Sequence, residues 1–204
     1  ALPPGSTVDG SSFTTHNADS GLSPYELYKV PAMDYAPGTQ YELLTIPQMG
    51  GGHQLHEVAL KPTGQFVDQV AHTYAYLKTP IFGYVNEMGV GIGETTIGAR
   101  SQLNNQNGYL DITHLSMFAM ERGATAREAI QAMGMLAEKY GYSDGGEELT
   151  VIDGKEAWLF EICGPGPLWQ VGDTEPGAFW VAQRVKDGYV SASANTPAIR
   201  EIEW

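Results

Sequence analysis

Residues 81–98, reading IFGYVNEMGVGIGETTIG, constrain the fold more than any other stretch of the chain. Apolar and small residues alternate through it, five glycines punctuate it, and Asn86-Glu87-Met88-Gly89 stands at its centre. Alternation of period two broken by a turn sequence specifies two antiparallel strands. The second strand finishes on Glu94-Thr95-Thr96 among glycines, so it can present side chains and bare backbone N–H groups to a ligand that comes close. The rest of the chain is expected to be arranged around this pair.

The segments downstream define the fold class. Residues 112–121 predict a helix that buries Leu115 and Phe118 and breaks at Gly123. A second helix begins at Thr125, where Thr125 and Glu128 stand in capping-box spacing. Ala126, Ala129, Ile130, Met133, Leu136, Ala137 and Tyr140 then recur at three and four, giving one apolar stripe, and Gly141 is placed to end it. Beyond Gly146 the period returns to two. Residues 149–153 and 156–162 predict one hairpin, and residues 178–185 and 189–194 another. Upstream, an Asp9-Gly10 turn suggests a first hairpin leading to His16-Asn17-Ala18-Asp19. Residues 41–46 and 67–77 read as strands, and a short strand near 58–60 falls in an irregular excursion. Strands, then two adjacent helices, then hairpins indicate an antiparallel α+β layered protein and not alternating βαβ units. The 204 residues show no internal repeat and no domain boundary.

Charge and composition exclude several functions. The formal net charge is −13, with 24 acidic against 11 basic residues, which argues against nucleic acid as a partner. No run of 18 apolar residues suggests a membrane-spanning helix. The first residues lack the basic start and apolar centre of a signal peptide. Cys163 is the single cysteine; an intrachain disulfide is excluded, and its place at the end of an apolar strand suits a buried structural thiol. His53, His56 and Glu57 do not have the spacing of a zinc-binding helix, so no metal is expected; a metal-dependent hydrolase using His53, His56 and His72 is the weakest reading. The glycines match no phosphate-binding pattern. Asp153, Glu156 and Glu161 read as solvated hairpin carboxylates, and Trp158, Trp169 and Trp180 as core or loop anchors. Asn195 ends the last strand before Thr196-Pro197. It suits either a turn or a side-chain amide fixed to donate to an oxyanion.

Taken in order, several of these segments resemble the dipeptidase/secernin family of N-terminal-nucleophile cysteine hydrolases. They are the opening Ala-Leu-Pro-Pro, Thr7-Val8-Asp9-Gly10-Ser11, His16-Asn17-Ala18-Asp19, Val70 through Tyr74, and Asn86-Glu87-Met88-Gly89-Val90. Gly93-Glu94-Thr95-Thr96, Ala126 through Ala129, Glu138 through Gly141, Asp153 through Trp158 and Ala194-Asn195 complete the series. The resemblance implies a four-layer αββα sandwich of two antiparallel sheets, like that of penicillin and bile-salt amidases, forming a single domain over 1–204 that is incomplete here. It implies hydrolysis of amide bonds in dipeptides by an N-terminal cysteine exposed through autoprocessing, whose own α-amine is the base, with no cofactor.

Carried over by position, Asp19 would hold that amine or thiol, with His16 and Asn17 beside it. Asn195 would donate its amide to the oxyanion, and Thr96 would add a backbone N–H. Asn86, Glu94 and Thr95 would support the substrate. In family sequences of this kind the nucleophile lies about five residues before the position of Ala1, and the enzymes are longer. The chain as given is therefore expected to be inactive, lacking the nucleophile and a C-terminal part. Its expected partners are a dipeptide or small amide substrate and the remainder of the same polypeptide. A homo-oligomer, and either a secreted or a cytoplasmic location, are compatible with the resemblance. The alternative is a non-catalytic, secernin-like binding protein on the same fold.

Overall fold

The computed structural model describes residues 1–17, 27–45, 60–79, 82–200 and 202. Asp19 and the segment with His53, His56 and Glu57 lie outside the described residues, as does most of the strand expected near 58–60.

A seven-stranded antiparallel sheet forms the centre. Its strands are β1 (Tyr28–Val30), β6 (Tyr76–Lys78), β7 (Gly83–Asn86), β8 (Gly91–Ile97), β9 (Gly146–Ile152), β10 (Ala157–Cys163) and β11 (Phe179–Arg184), in that spatial order. Two further ribbons pair β2 (Met33–Asp34) with β5 (His72–Thr73), and β3 (Gln40–Leu44) with β4 (Pro62–Asp68). The helices α1 (Ile112–Arg122) and α2 (Ala126–Tyr140) lie side by side between β8 and β9 in sequence. The α+β class follows. Of the four layers of a sandwich, the described residues build one large sheet and one helical layer. Among them no helix is long and apolar enough to cross a membrane.

Strand alternation divides the sheet into two faces. Ile92, Leu149, Val151, Phe160 and Ile162 point toward the helices and join one cluster with Leu115, Phe118, Ala129, Ile130 and Met133. At Gly83 a methyl group would sit 2.8 Å from the Met120 side chain and 2.9 Å from the Ser116 carbonyl, so α1 lies almost directly on the β7 backbone. The helix caps follow the sequence. Asp111 accepts from His114 N–H, Thr125 accepts from Glu128 N–H, and Gly141 closes α2 at φ +79°. Glu128 completes the box one residue early, accepting from Ala124 N–H at 2.8 Å.

Three expected segments are altered by tertiary contacts. Residues 67–77 break into the end of β4, β5 and β6, because they serve three different sheets. The first hairpin reduces to one antiparallel bridge between Leu2 and Phe13. Residues 189–194 do not pair with β11. A turn closes with Tyr189 N–H donating to Lys186 carbonyl, and the chain crosses the sheet face opposite the helices instead. On that face Ala1, Ala198 and Ile199 pack against Ala157, Leu159 and Val185.

Candidate active site

The β7–β8 hairpin turns where expected, with Gly89 at φ +82°, but its strands stay together only near the turn. Val85 opposite Gly91 is the register pair, and β8 continues from there beside β9 alone. In an antiparallel strand the N–H and C=O of one residue point the same way and alternate along the chain. The edge of β8 facing away from β9 is therefore open at Glu94 and Thr96, and two side chains from distant parts of the sequence fill it.

The first is His16. Glu94 N–H donates to its Nδ1 at 2.7 Å, and its Nε2 lies 3.2 Å from the Tyr84 hydroxyl. Because Nδ1 accepts, the ring proton sits on Nε2 and is directed to Tyr84. Burial holds the His16 pKa below the ordinary histidine value, against an opposing pull from the Glu94 charge, so the ring is neutral at pH 7. Phe82 and Tyr84 pack edge-on against it. The glycine at 93 makes this approach feasible. A methyl there would meet Thr150 Oγ1 at 2.7 Å and Thr14 Oγ1 at 2.8 Å, so any side chain would push residues 14–16 off the strand.

The second is Asn195, whose Nδ2 donates to the Thr96 carbonyl at 2.8 Å. Asn195 is the one non-glycine residue at positive φ (55°) among the described residues, a conformation Asn tolerates better than other L-residues. The bond to Thr96 fixes the plane of the amide and uses one of its two N–H groups. The other remains for an acceptor. Thr96 N–H points along the same open edge as that of Glu94, so both donors expected for an oxyanion lie together. Asn17 follows His16 and is exposed.

Thr96 ties this corner to a carboxyl group. Its hydroxyl donates to Glu94 Oε1 at 3.2 Å, on the face toward the helices, and Glu147 stands opposite Thr96 in the β8–β9 register. Thr95 points to the other face, opposite Glu148, which is in turn opposite Glu161. His16, Glu94, Thr95, Thr96 and Asn195 are thus brought together at one end of β8.

Asn86 is not among them. It sits at the other end of the hairpin, about 16 Å away at ~3.3 Å per strand residue. It is 5 % exposed, and its amide is fully engaged. Nδ2 donates to the carbonyls of Met120 and Gly123, and Oδ1 accepts from the N–H groups of Met88 and Val90. The expected substrate role for Asn86 gives way to that of a clamp joining the turn to the end of α1. Glu161 also departs from the solvated carboxylate expected. It is buried, and its Oε1 accepts from the N–H groups of Ala198 and Ile199, both at 2.7 Å. Cys163 is half-buried at the end of β10, and burial raises its pKa, so it remains a thiol.

Sequence reasoning passed over Glu147 and Glu148. Two successive acidic residues inside a period-two strand put one carboxyl on each face of the sheet, and that was the available signal. Both are buried, at 4 % and 1 % exposure. Burial first, then the Glu94 charge, pushes the Glu147 pKa up to about 9. Burial and the Glu161 charge raise that of Glu148 to about 7. Neither Glu148 oxygen has a hydrogen-bond partner among the described residues.

A pH dependence follows. A raised folded-state pKa means the native protein keeps a proton that the unfolded chain loses above about 4.5. That contribution to stability is complete below the unfolded pKa. It is lost as pH rises, through about 7 for Glu148 and about 9 for Glu147. Tm is expected to fall between pH 5 and pH 9. Glu148→Gln should flatten the part up to neutrality and raise Tm at pH 8 by several degrees, at about 2–4 °C per kcal/mol. Thermal unfolding of both proteins at pH 5, 7 and 9 checks this; identical curves would refute it.

Comparison with protein families places this site in context. The family model of peptidase family C69 matches residues 68–204, which include β5 to β11, both helices, and the Glu94, Thr96 and Asn195 corner. The chain belongs to peptidase family C69, the dipeptidase/secernin family of N-terminal-nucleophile cysteine hydrolases.

Proposed function

We propose that the protein is a cysteine-type dipeptidase whose nucleophile is the N-terminal Cys of the mature enzyme, lying about five residues upstream of Ala1. The observation that carries this reading is a pairing at the start of the chain. Ala1 N donates to the Ser191 carbonyl at 2.7 Å, and Ser191 N–H donates back to the Ala1 carbonyl at 3.0 Å. This is an antiparallel exchange. Carried on in the same register, each step back before Ala1 would advance one residue beyond Ser191 and bring the fifth residue upstream to the level of the turn at Asn195 and Thr196. A cysteine there has the amide of Asn195 and the open edge of β8 within reach.

The chemistry is then that of acyl transfer. The α-amine of the cysteine, with an unperturbed pKa of ~7.7–8.0, takes the thiol proton. The thiolate attacks the peptide carbonyl carbon, and the carbonyl oxygen becomes an oxyanion facing Asn195 Nδ2 and Thr96 N–H. Collapse breaks the C–N bond, and the departing amine takes the proton. Water then cleaves the thioester, restoring the thiol and releasing the acid. Asp19 is proposed to hold the cysteine, and His16, Asn17, Glu94 and Thr95 to line the substrate side. Without the cysteine, residues 1–204 alone are proposed to be inactive.

The test begins with the coding sequence upstream of Ala1. A cysteine within about ten residues, followed by cleavage of unblocked dipeptides by the full-length protein, is the expected result. Loss of cleavage on Cys→Ala at that position should accompany it. If no cysteine is found and dipeptides bind without being cleaved, the protein is a binding member of the family.

A further inference from the structure

Residues 13–17 are fastened to the rest of the molecule at three successive points. Phe13 exchanges backbone hydrogen bonds with Leu2, at 2.8 and 2.9 Å. The Thr14 hydroxyl meets that of Thr150 on β9 at 2.5 Å. His16 then accepts the Glu94 N–H of β8 on its Nδ1 at 2.7 Å. The first two fastenings involve no ionisable group. The third does, and it lies next to Asn17 in sequence and two residues from Thr96 on the open edge of β8.

A backbone N–H can only donate, so this bond requires a ring nitrogen with a free lone pair. An imidazolium has none. Protonation of Nδ1 sets two N–H groups against each other across 2.7 Å, and the ring must leave the strand. The other side of the ring is indifferent to that change: Nε2–H donates to the Tyr84 hydroxyl at 3.2 Å in either charge state. Only the contact with β8 therefore depends on the proton. Among the described residues two titratable groups bear on the ring, the Glu94 carboxyl of β8 and the Tyr84 phenol of β7, while Phe82 adds an uncharged edge. The Glu94 charge favours the imidazolium, and burial opposes it more strongly.

We propose that His16 is a positioning residue acting as a proton-operated lock: its neutral ring holds the end of the 13–17 segment on β8, and protonation of Nδ1 releases it and frees the Glu94 N–H at the open edge. That the lock governs dipeptide turnover rests on the peptidase reading above, in which His16 and Asn17 line the substrate side; the lock itself does not. The locked ring binds a proton less readily than a released one, whose ordinary value is 6.5. The lock is therefore complete above that value and is lost as pH falls through the depressed one. In between, the ratio of locked to released protein drops by up to about tenfold per pH unit. The sign is opposite to that of Glu147 and Glu148, which stabilise the fold on the acid side.

Exchange of the Glu94 amide hydrogen in the full-length protein, followed by NMR, reads the lock directly, because His16 Nδ1 is the acceptor of that hydrogen. Its protection factor, corrected for the intrinsic rate, should fall about tenfold or more between pH 8 and pH 5. His16→Asn puts an amide oxygen where Nδ1 stands and cannot be protonated, so its protection should stay flat over the same range. His16→Gln reaches toward Tyr84 instead and should leave Glu94 unprotected throughout. Dipeptide hydrolysis then tests the consequence. Titration of the cysteine amine is common to both proteins, so the ratio of kcat/KM in His16→Asn to that in the wild type isolates the lock. That ratio should rise at least twofold from pH 7.5 to pH 5. Wild-type protection that does not change with pH overturns the lock, whether or not either variant folds. Protection that falls while the ratio stays flat overturns the positioning role. A lock that titrates in a protein cleaving no dipeptide at any pH removes the dipeptidase and keeps the lock.

Discussion

Asn195→Ala in the full-length enzyme is expected to lower kcat by about 100- to 1000-fold, with little change in KM, the usual consequence of removing one oxyanion donor. The reasoning lies in the geometry of the amide. One Nδ2 hydrogen is committed to the Thr96 carbonyl at 2.8 Å, so the second is aimed without rotational freedom. A donor fixed before reaction needs no reorganisation when charge develops on the substrate oxygen. Two companions separate this from backbone effects. Asn195 stands at φ 55°, where Ala is strained and Gly is not. Asn195→Gly should therefore be at least as stable as Asn195→Ala and equally slow. Asn195→Asp keeps the shape but opposes an oxygen to the Thr96 carbonyl, and should be both slow and less stable. Single-turnover kinetics with a dipeptide, beside Tm, measures both quantities. A near-normal kcat in the Gly variant would mean that Asn195 shapes a turn and nothing more.

Asn86→Ala should have the largest effect on stability of any single polar substitution in the hairpin, about 3–5 kcal/mol, or roughly 10 °C in Tm. Four hydrogen bonds are lost at a buried position. Two of the orphaned partners are the carbonyls of Met120 and Gly123, just where α1 runs out of its own donors. The truncation also leaves Met88 and Val90 N–H groups unmatched in the turn. Asn86→Asp does not rescue it, because a carboxylate would face two carbonyl oxygens. Denaturant unfolding gives the loss directly. The protein that remains folded at low temperature should keep its kcat, since Asn86 stands at the far end of the hairpin from Asn195. A collapse of kcat with Tm intact would return Asn86 to the site.

Local rules made much of the fold legible. The stripe from Ala126 to Tyr140, its Thr125 cap and its Gly141 stop required only periodicity and capping chemistry, and α2 begins and ends there. The hairpins of β7 with β8 and of β9 with β10 are likewise local, each closed by a short turn whose residues suit it. Residues 189–194 show where local reading fails. Their alternating small residues suit a strand, yet Tyr189 and Ser191 are held by Ser6 and Ala1, and the residues just beyond by Thr96 and Glu161, partners 37 to 190 residues away that no window contains. Residues 67–77 fail for the same reason, being divided among three sheets.

The site divides along the same line. The residues at the end of β8 could be named from the sequence as a polar ending to a glycine-rich strand. Their distinct tasks could not. Asn86 and Asn195 are both Asn at strand ends. One is consumed by the end of α1, and the other is left with a free donor at an open edge. The edge is open because β7 leaves β8 after a single register pair, which neither strand's own sequence shows.

By itself, then, the sequence determined which segments are strands and helices where periodicity, caps and turns act over a few residues. Through its ordered motifs it also determined the family. Only the tertiary structure decided which polar groups meet. Burial and pairing depend on what the rest of the chain brings to each position, and that is why Glu147, Glu148 and Tyr142, ordinary in sequence, are among the buried polar groups left without a partner among the described residues.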